Sequence, residues 1–335
     1  MEHFRPFLDS HFGHHDYKVF QLAGDASNRR YMRVSNDDRT WVLMIWEPFQ
    51  AKDYPFLSVL EHFAHHKVRV PEVVALSEKD GLVLLEDLGD LTLERKFWER
   101  QDHSSSLPFY QQAMDELIKI HYPATADRNN CTAFKLQFDV EKLLWELNYG
   151  RTNLIEGILQ FPMSAKVSQD LNAIMVRICE RLHAEPKRIA HRDYHSRNLM
   201  IKFDEIRVID FQDARLGTVQ YDLVSILRDS YVQLDEEMET LLLNDYLDKA
   251  KPFLPKDFSR EHFQLIYEVQ TIQRCFKACG SFASFFVQRQ DTRYLKYISH
   301  TLRRVLKALT RFPEYQVFSD VLIDSGALER KYEQV

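Results

Sequence analysis

His191-Arg192-Asp193 is followed, after four residues, by Asn198, and then by an apolar run ending in Val208-Ile209-Asp210-Phe211. Two carboxylates and one carboxamide at this spacing suit phosphoryl transfer from ATP. That chemistry forms little that a side chain must hold covalently. It needs the attacking oxygen placed in line with the leaving one and the developing charge neutralised. Asp193 is the candidate catalytic residue, a base or orienter for the acceptor hydroxyl. Asn198 and Asp210 are the candidate metal ligands, because Mg²⁺ takes hard oxygen donors and keeps its other positions for phosphate and water. The rival is an accidental turn motif, and the position of Asp210 at the end of a second apolar run argues against it.

Those residues need a rigid frame. Leu199-Met200-Ile201 and Ile206-Arg207-Val208-Ile209 read as a hairpin that carries Asp210 back toward Asp193. Upstream, the first 90 residues are strand-rich: 17–22, 30–34, 41–46, 72–76 and 82–85, broken by Gly, Asn and Asp turns. One helix is expected over 52–66, where Phe56, Val59, Leu60 and Phe63 recur at helical spacing. From Leu91 onward the pattern is helical, over 108–120, 139–149, 164–183, 219–227, 236–247, 260–286 and 293–309, interrupted only by the 199–211 hairpin. The expected class is α+β, a two-lobed protein-kinase-like fold with a small five-stranded N-lobe and a larger, mainly helical C-lobe. The division falls near Glu86–Asp90, giving a nucleotide-binding lobe over 1–88 and a catalytic, acceptor-binding lobe over 89–335. ATP is expected between them, its adenine bonded to the connector at Glu86 and Leu88.

Composition excludes several classes. Apolar residues are 45% and charged residues 28% of the 335, with a net charge of −6. No long basic run occurs, which disfavours nucleic acid. Cys131, Cys179, Cys275 and Cys279 are too few and too uneven for a disulfide framework, and Cys275 and Cys279 read as small core residues. No stretch of 18 apolar residues and no apolar leader is present. The expectation is a cytoplasmic protein with a small-molecule substrate, without a membrane or obligate protein partner.

The segment 23–30, Ala-Gly-Asp-Ala-Ser-Asn-Arg-Arg, lies between the first two strands. Small residues there let backbone N–H groups approach phosphate oxygens; Ser27 adds a hydroxyl, Arg29 and Arg30 add charge. A plain polar turn is the competing reading. On the third strand Met44 stands where a lysine would pair the α- and β-phosphates. Either Arg29 or Arg30 supplies the missing cation, or the chain is a degenerate nucleotide-binding module. Glu61, on the 52–66 helix, then has no lysine to pair.

His191-Arg192-Asp193-Tyr194 with Arg197-Asn198-Leu199-Met200 and Asp210-Phe211-Gln212-Asp213-Ala214 resembles the aminoglycoside phosphotransferase and choline kinase superfamily. Gly24-Asp25-Ala26-Ser27, Arg29-Arg30-Tyr31, Met44, Asp-Phe-Gln-Asp, and Gln273-Arg274 with Lys277 and Gly280 narrow the resemblance to the bacterial anomeric N-acetylmuramate/N-acetylglucosamine kinases. It runs from about Leu22 to Leu309. It implies an ATP- and Mg²⁺-dependent phosphotransferase acting on the anomeric hydroxyl of an amino sugar in cell-wall recycling. Glu146, Arg274 and Lys277 then lie on acceptor-site helices, with Arg274 or Lys277 able to hold a lactyl carboxylate. Asp213 could contact metal or sugar, or form an Asx-turn. The chain departs from the branch at Trp46-Glu47-Pro48 and at Tyr194-His195-Ser196, which leaves sugar preference open.

His191 is expected beneath the loop, bonded to backbone near Asp210, and Asp222 is expected to brace the loop through backbone N–H groups. Phe282, Phe285 and Phe286 read as helix core. Two other functions compete: a kinase of another hydroxyl compound such as an aminoglycoside, which would want an acceptor site rich in carboxylates, and a pseudokinase, suggested by Met44.

Overall fold

The computed structural model describes residues 3–22, 29–99 and 103–332. Ser27 and most of the 23–30 segment lie outside them. The chain opens with α1 (Arg5–Phe12), then β1 (Lys18–Gln21), β2 (Arg30–Asn36), β3 (Arg39–Ile45), α2 (Pro55–His65), β4 (Val73–Ser77) and β5 (Leu82–Glu86). The strands form one antiparallel sheet in the order β1-β2-β3-β5-β4. Five strands with a helix after the third is the order the sequence predicts.

Period-2 alternation decides what each face of this sheet meets. Leu43 and Ile45 on β3, with Leu82 and Leu84 on β5, pack under Phe4 and Leu8 of the N-terminal segment. The intervening Met44, Val83 and Leu85 face the other way, into the core that holds α2. Both faces are covered, so β5 reads as a continuous apolar run (Leu82-Val83-Leu84-Leu85).

Beyond β5 come α3 (Leu93–Trp98), α4 (Leu107–Lys119), α5 (Val140–Gly150), α6 (Ala165–His183), β6 (Arg188–Ala190), β7 (Leu199–Lys202), β8 (Glu205–Val208), β9 (Arg215–Gly217), α7 (Val219–Leu227), α8 (Glu236–Ala250), α9 (Arg260–Arg289), α10 (Ile298–Leu309) and α11 (Gln316–Asp324). The 30-residue α9 is the axis of this part, packed against α5, α7 and α10. Asp235 caps α8 by accepting from the Met238 N–H at 2.7 Å, so the acidic 235–237 run is a helix start.

Two expectations need correction. The β7–β8 hairpin is not the sole interruption of the helices, because β6 and β9 pair as a second ribbon, Ile189 opposite Leu216. The helix expected from Arg293 begins at Ile298, after a tight turn over Leu295–Tyr297. The helices α1, α3 and α11 span only 8, 6 and 9 residues, too few turns for a clear apolar period in the sequence.

Candidate active site

The loop from His191 to Asn198 leaves β6 and is held from below by Asp222 on α7. The fully buried Asp222 carboxylate accepts the His191 N–H at 2.6 Å and the Arg192 N–H at 3.0 Å. Its Oδ2 also lies 3.2 Å from His121 Nε2. His191 donates its Nε2–H to the Ile209 carbonyl at 3.0 Å, tying the loop to the strand end that carries Asp210. These are the supporting roles the spacing predicts for both residues. Arg192 has φ +83° and Asp210 φ +64°. Left-handed backbone is costly for a long side chain, of order 1–3 kcal/mol, and persists where surrounding bonds over-determine it. The paired N–H bonds to Asp222 do this for Arg192.

The three predicted polar groups come together. Asn198 Nδ2 donates to the Asp193 carbonyl at 3.0 Å and to Asp210 Oδ2 at 3.0 Å. Gln212 Nε2 donates to Asp210 Oδ1 at 2.7 Å. Burial raises the Asp210 carboxyl above its ordinary value; the Gln212 amide opposes this, and the carboxylates of Asp193 and Asp213 add to it. A carboxylate flanked by other carboxylates, with the Asn198 carboxamide at 3.0 Å, is a donor set that suits a hard divalent cation once that amide turns its oxygen inward.

Asp193 differs. Burial acts to raise its carboxyl, but the cations Lys277, Arg192 and Arg274 outweigh burial and hold it well below the usual range. Lys277 Nζ and an Arg274 guanidinium nitrogen each lie 3.9 Å from Oδ1, and Arg192 Nε lies 3.8 Å from Oδ2. Such a carboxylate stays ionised and weakly basic, suited to orienting a hydroxyl and taking its proton late. Burial lowers the Lys277 ammonium to about 8 and the His195 ring to about 3, with Asp193 opposing both, so His195 is neutral.

Asp193 opens onto a cleft of about 130 Å³ walled by α7, α9 and the 228–231 segment. Its lining joins His195, Arg274 and Lys277 to Tyr231, Phe282 and Phe285. Phe282 and Phe285 therefore line this cleft and stack on Tyr294, rather than serving only as core.

Other predicted residues fall elsewhere. Glu146 is fully buried on α5, accepting from Tyr221 Oη at 3.2 Å and Gln273 Nε2 at 3.0 Å, and it is not among the lining residues. Asp213 accepts from Arg192 at 2.7 Å, an ion pair that positions the Arg192 side chain. Ser196 is buried, donating both N–H and Oγ–H to Asp229, so it faces the interior and not a substrate. Arg30 pairs with Ile45 on the sheet face away from Met44, and its side chain is exposed. Tyr31, opposite Met44, is on the sheet face that packs against the main core. Arg29 lies on that side too, its guanidinium 5.6 Å from the Trp46 ring. It acts on the Tyr31 hydroxyl, which burial raises and which also senses Asp210. Glu86 binds Lys202 of β7 at 2.7 Å, and Leu88 is buried in the connector. Arg33, bonded to both Asp87 and Asp90, further fixes that connector. Neither Arg33 nor Asp229 has a spacing signal that would have drawn attention to it.

A five-stranded sheet joined to a helical part, with Asp193, Asn198 and Asp210 gathered in one loop and hairpin, has the form of a phosphotransferase. The chain belongs to the phosphotransferase enzyme family, whose model matches residues 18–255. Among curated proteins it is similar to an N-acetylmuramate/N-acetylglucosamine kinase of Neisseria meningitidis serogroup B, 28% identical over 319 residues and covering 95% of this chain and 93% of that one. A protein of the same name from Pseudomonas aeruginosa is 29% identical, covering 91% and 88%. Among solved structures, ADP-bound aminoglycoside phosphotransferase APH(2'')-Ib has a TM-score of 0.58 at 14% identity, with 92% and 97% covered. Choline kinase LicA from Streptococcus pneumoniae has a TM-score of 0.58 at 13% identity, with 93% and 100% covered. These two likenesses establish the protein-kinase-like fold. Among the described residues, no helix is long and apolar enough to cross a membrane.

Proposed function

We propose that this chain transfers the γ-phosphoryl group of ATP to the anomeric hydroxyl of N-acetylmuramate or N-acetylglucosamine, in the cytoplasm, as a step of cell-wall recycling. The observation that carries the reading is the convergence of Asp193, Asn198 and Asp210, with Asp193 also lining the cleft that holds Arg274 and Lys277. The two curated relatives bearing that name, each matched over most of its length, support the substrate class.

Asp193 orients the acceptor hydroxyl and receives its proton. An anomeric hydroxyl is more acidic than an ordinary alcohol, so a weakly basic carboxylate suffices in a loose transition state. Lys277 and Arg274 hold Asp193 ionised and present positive charge where the acceptor enters. Asp210 and Asn198 are the residues that would hold Mg²⁺, which supplies neutralisation of the triphosphate charge when bound. Arg29 stands in for the absent lysine, and Arg30, on the other sheet face, does not. Adenine docks against the backbone of Glu86 and Leu88, between lobes spanning 1–88 and 89–335.

Arg274 and Lys277 also weigh against an aminoglycoside acceptor, because a polycation would be repelled from a cationic wall. An ADP-release assay across N-acetylmuramate, N-acetylglucosamine, choline and an aminoglycoside, with and without Mg²⁺, tests the reading. ADP release with either amino sugar, accompanied by a sugar 1-phosphate in the ³¹P NMR spectrum, is expected. Turnover confined to another acceptor, or absent with all, would overturn it.

A further inference from the structure

Away from the cleft, His62 on α2 and His66, the residue that ends that helix, bring their rings to 4.9 Å between centroids. Asp127, on the segment after α4, stands against them. His62 donates its Nε2–H to the Ala124 carbonyl at 2.8 Å, which fixes the tautomer and leaves Nδ1 as a lone pair. That is the arrangement by which a metal-binding histidine is oriented. His66 Nε2 lies 3.0 Å from Asp127 Oδ2. One donor atom from each of His62, His66 and Asp127 lies within 4.8 Å of the others.

The centre of this group is held by a partial positive charge. Asn129 Nδ2 lies 2.9 Å from His62 Nδ1 and 3.4 Å from Asp127 Oδ2, so its amide donates to both from between them. Its Oδ1 is engaged by the Cys131 N–H at 2.9 Å. Two acceptors thus converge where a cation would sit. His62 is buried, whereas Asp127 is 41% exposed on its side chain, which gives an ion a way in and the carboxylate freedom to close.

We propose that His62, His66 and Asp127 form a transition-metal site of the Zn²⁺ type, separate from the phosphotransfer centre. Two imidazoles and one carboxylate favour such an ion over Mg²⁺, which prefers all-oxygen ligands. Bonds of about 2.0–2.2 Å require the three donors to draw together and the Asn129 amide to yield its place, with water completing the tetrahedron. The ion would clamp α2 to the 125–131 segment. Because α2 carries Phe56 and Phe63, which pack on Phe211 beside Asp210, the clamp would stiffen a support of the active site.

The test uses untagged full-length protein stripped with chelator. Zn²⁺ is titrated by calorimetry and Co²⁺ by its visible absorption, with Mg²⁺ present in excess to occupy oxygen sites. One saturable equivalent is expected, with a rise in Tm. His66→Ala and Asp127→Asn, both at partly exposed positions, should each weaken binding by at least about tenfold and abolish the Tm rise. Asp210→Asn should leave this equivalent intact, which separates it from the phosphotransfer centre. No saturable equivalent, or unchanged affinity in both His66→Ala and Asp127→Asn, would overturn the proposal and leave the group as a hydrogen-bonded network.

Discussion

At Asp193, three cations offset one carboxylate, and the consequence is kinetic. Asp193→Asn should lower kcat by several orders of magnitude while the KM for ATP changes little, because the lost group acts on the acceptor in the transition state. Steady-state assays and a nucleotide-binding titration separate the two; near-normal turnover would remove Asp193 from its role. Lys277 predicts a pH limb. Its ammonium titrates near 8, so charge beside Asp193 is present below that pH and lost above it. The kcat should fall as pH rises through about 8, and Lys277→Arg should move the fall upward. Arg29→Ala should weaken ATP binding at least about tenfold, since a charge-assisted contact contributes about 1.5–3 kcal/mol, while Arg30→Ala should do little. Adenosine should bind all three forms alike. The sequence placed Asp193, Asn198 and Asp210 because their geometry is made within one loop and hairpin. It could not separate Arg29 from Arg30, which strand register decides, nor see that α5 packing buries Glu146 under Tyr221.

Among the helices, α5 and α9 touch through glycine. A Cβ on Gly280 would stand 2.7 Å from the Gly150 backbone N and 3.0 Å from the Tyr149 carbonyl, both main-chain atoms that cannot rotate away. This approach holds α9 in register, and α9 carries Arg274 and Lys277 to the cleft. Gly280→Ala should therefore separate the helices, at a cost of about 1–3 kcal/mol for overpacking, despite the better intrinsic helix propensity of alanine. Urea unfolding would measure it, and a variant as stable as the parent would show that α5 can shift freely. Long amphipathic elements such as α6 and α9 are legible because their period repeats over many turns. The three-residue strands β6 and β9 show too few residues for any period, so their pairing emerges only from the fold. The helix α3 is set by Thr92, which caps it by accepting from the Arg95 N–H at 3.1 Å, and this short signal is easily passed over.

Across the whole molecule, one apolar core joins the sheet to the helical part. Met44, Val83 and Leu85 from the sheet share it with Phe56 and Phe63 of α2 and with Phe211 beside Asp210. Phe211 is fully buried, its ring 5.3 Å from Phe56 and 5.9 Å from Phe63. Hydrophilic ties run along the same boundary: Lys202 to Glu86, and the Val208 N–H to the Arg69 carbonyl at 2.7 Å. The two parts are therefore expected to unfold as one cooperative unit. Cutting the chain at residue 88 would strip α2 of the surface its phenylalanines need, so a 1–88 fragment should lack a cooperative transition by circular dichroism. Phe211→Ala in the full chain should cost about 3–5 kcal/mol, the range for emptying a phenylalanine site. It should also loosen Asp210 and so raise the KM for the metal–nucleotide complex. A fragment that melted cooperatively, or a Phe211→Ala protein that lost stability without any change in that KM, would show that the sheet and the phosphotransfer loop are held independently. The shared phenylalanine stack argues that they are not.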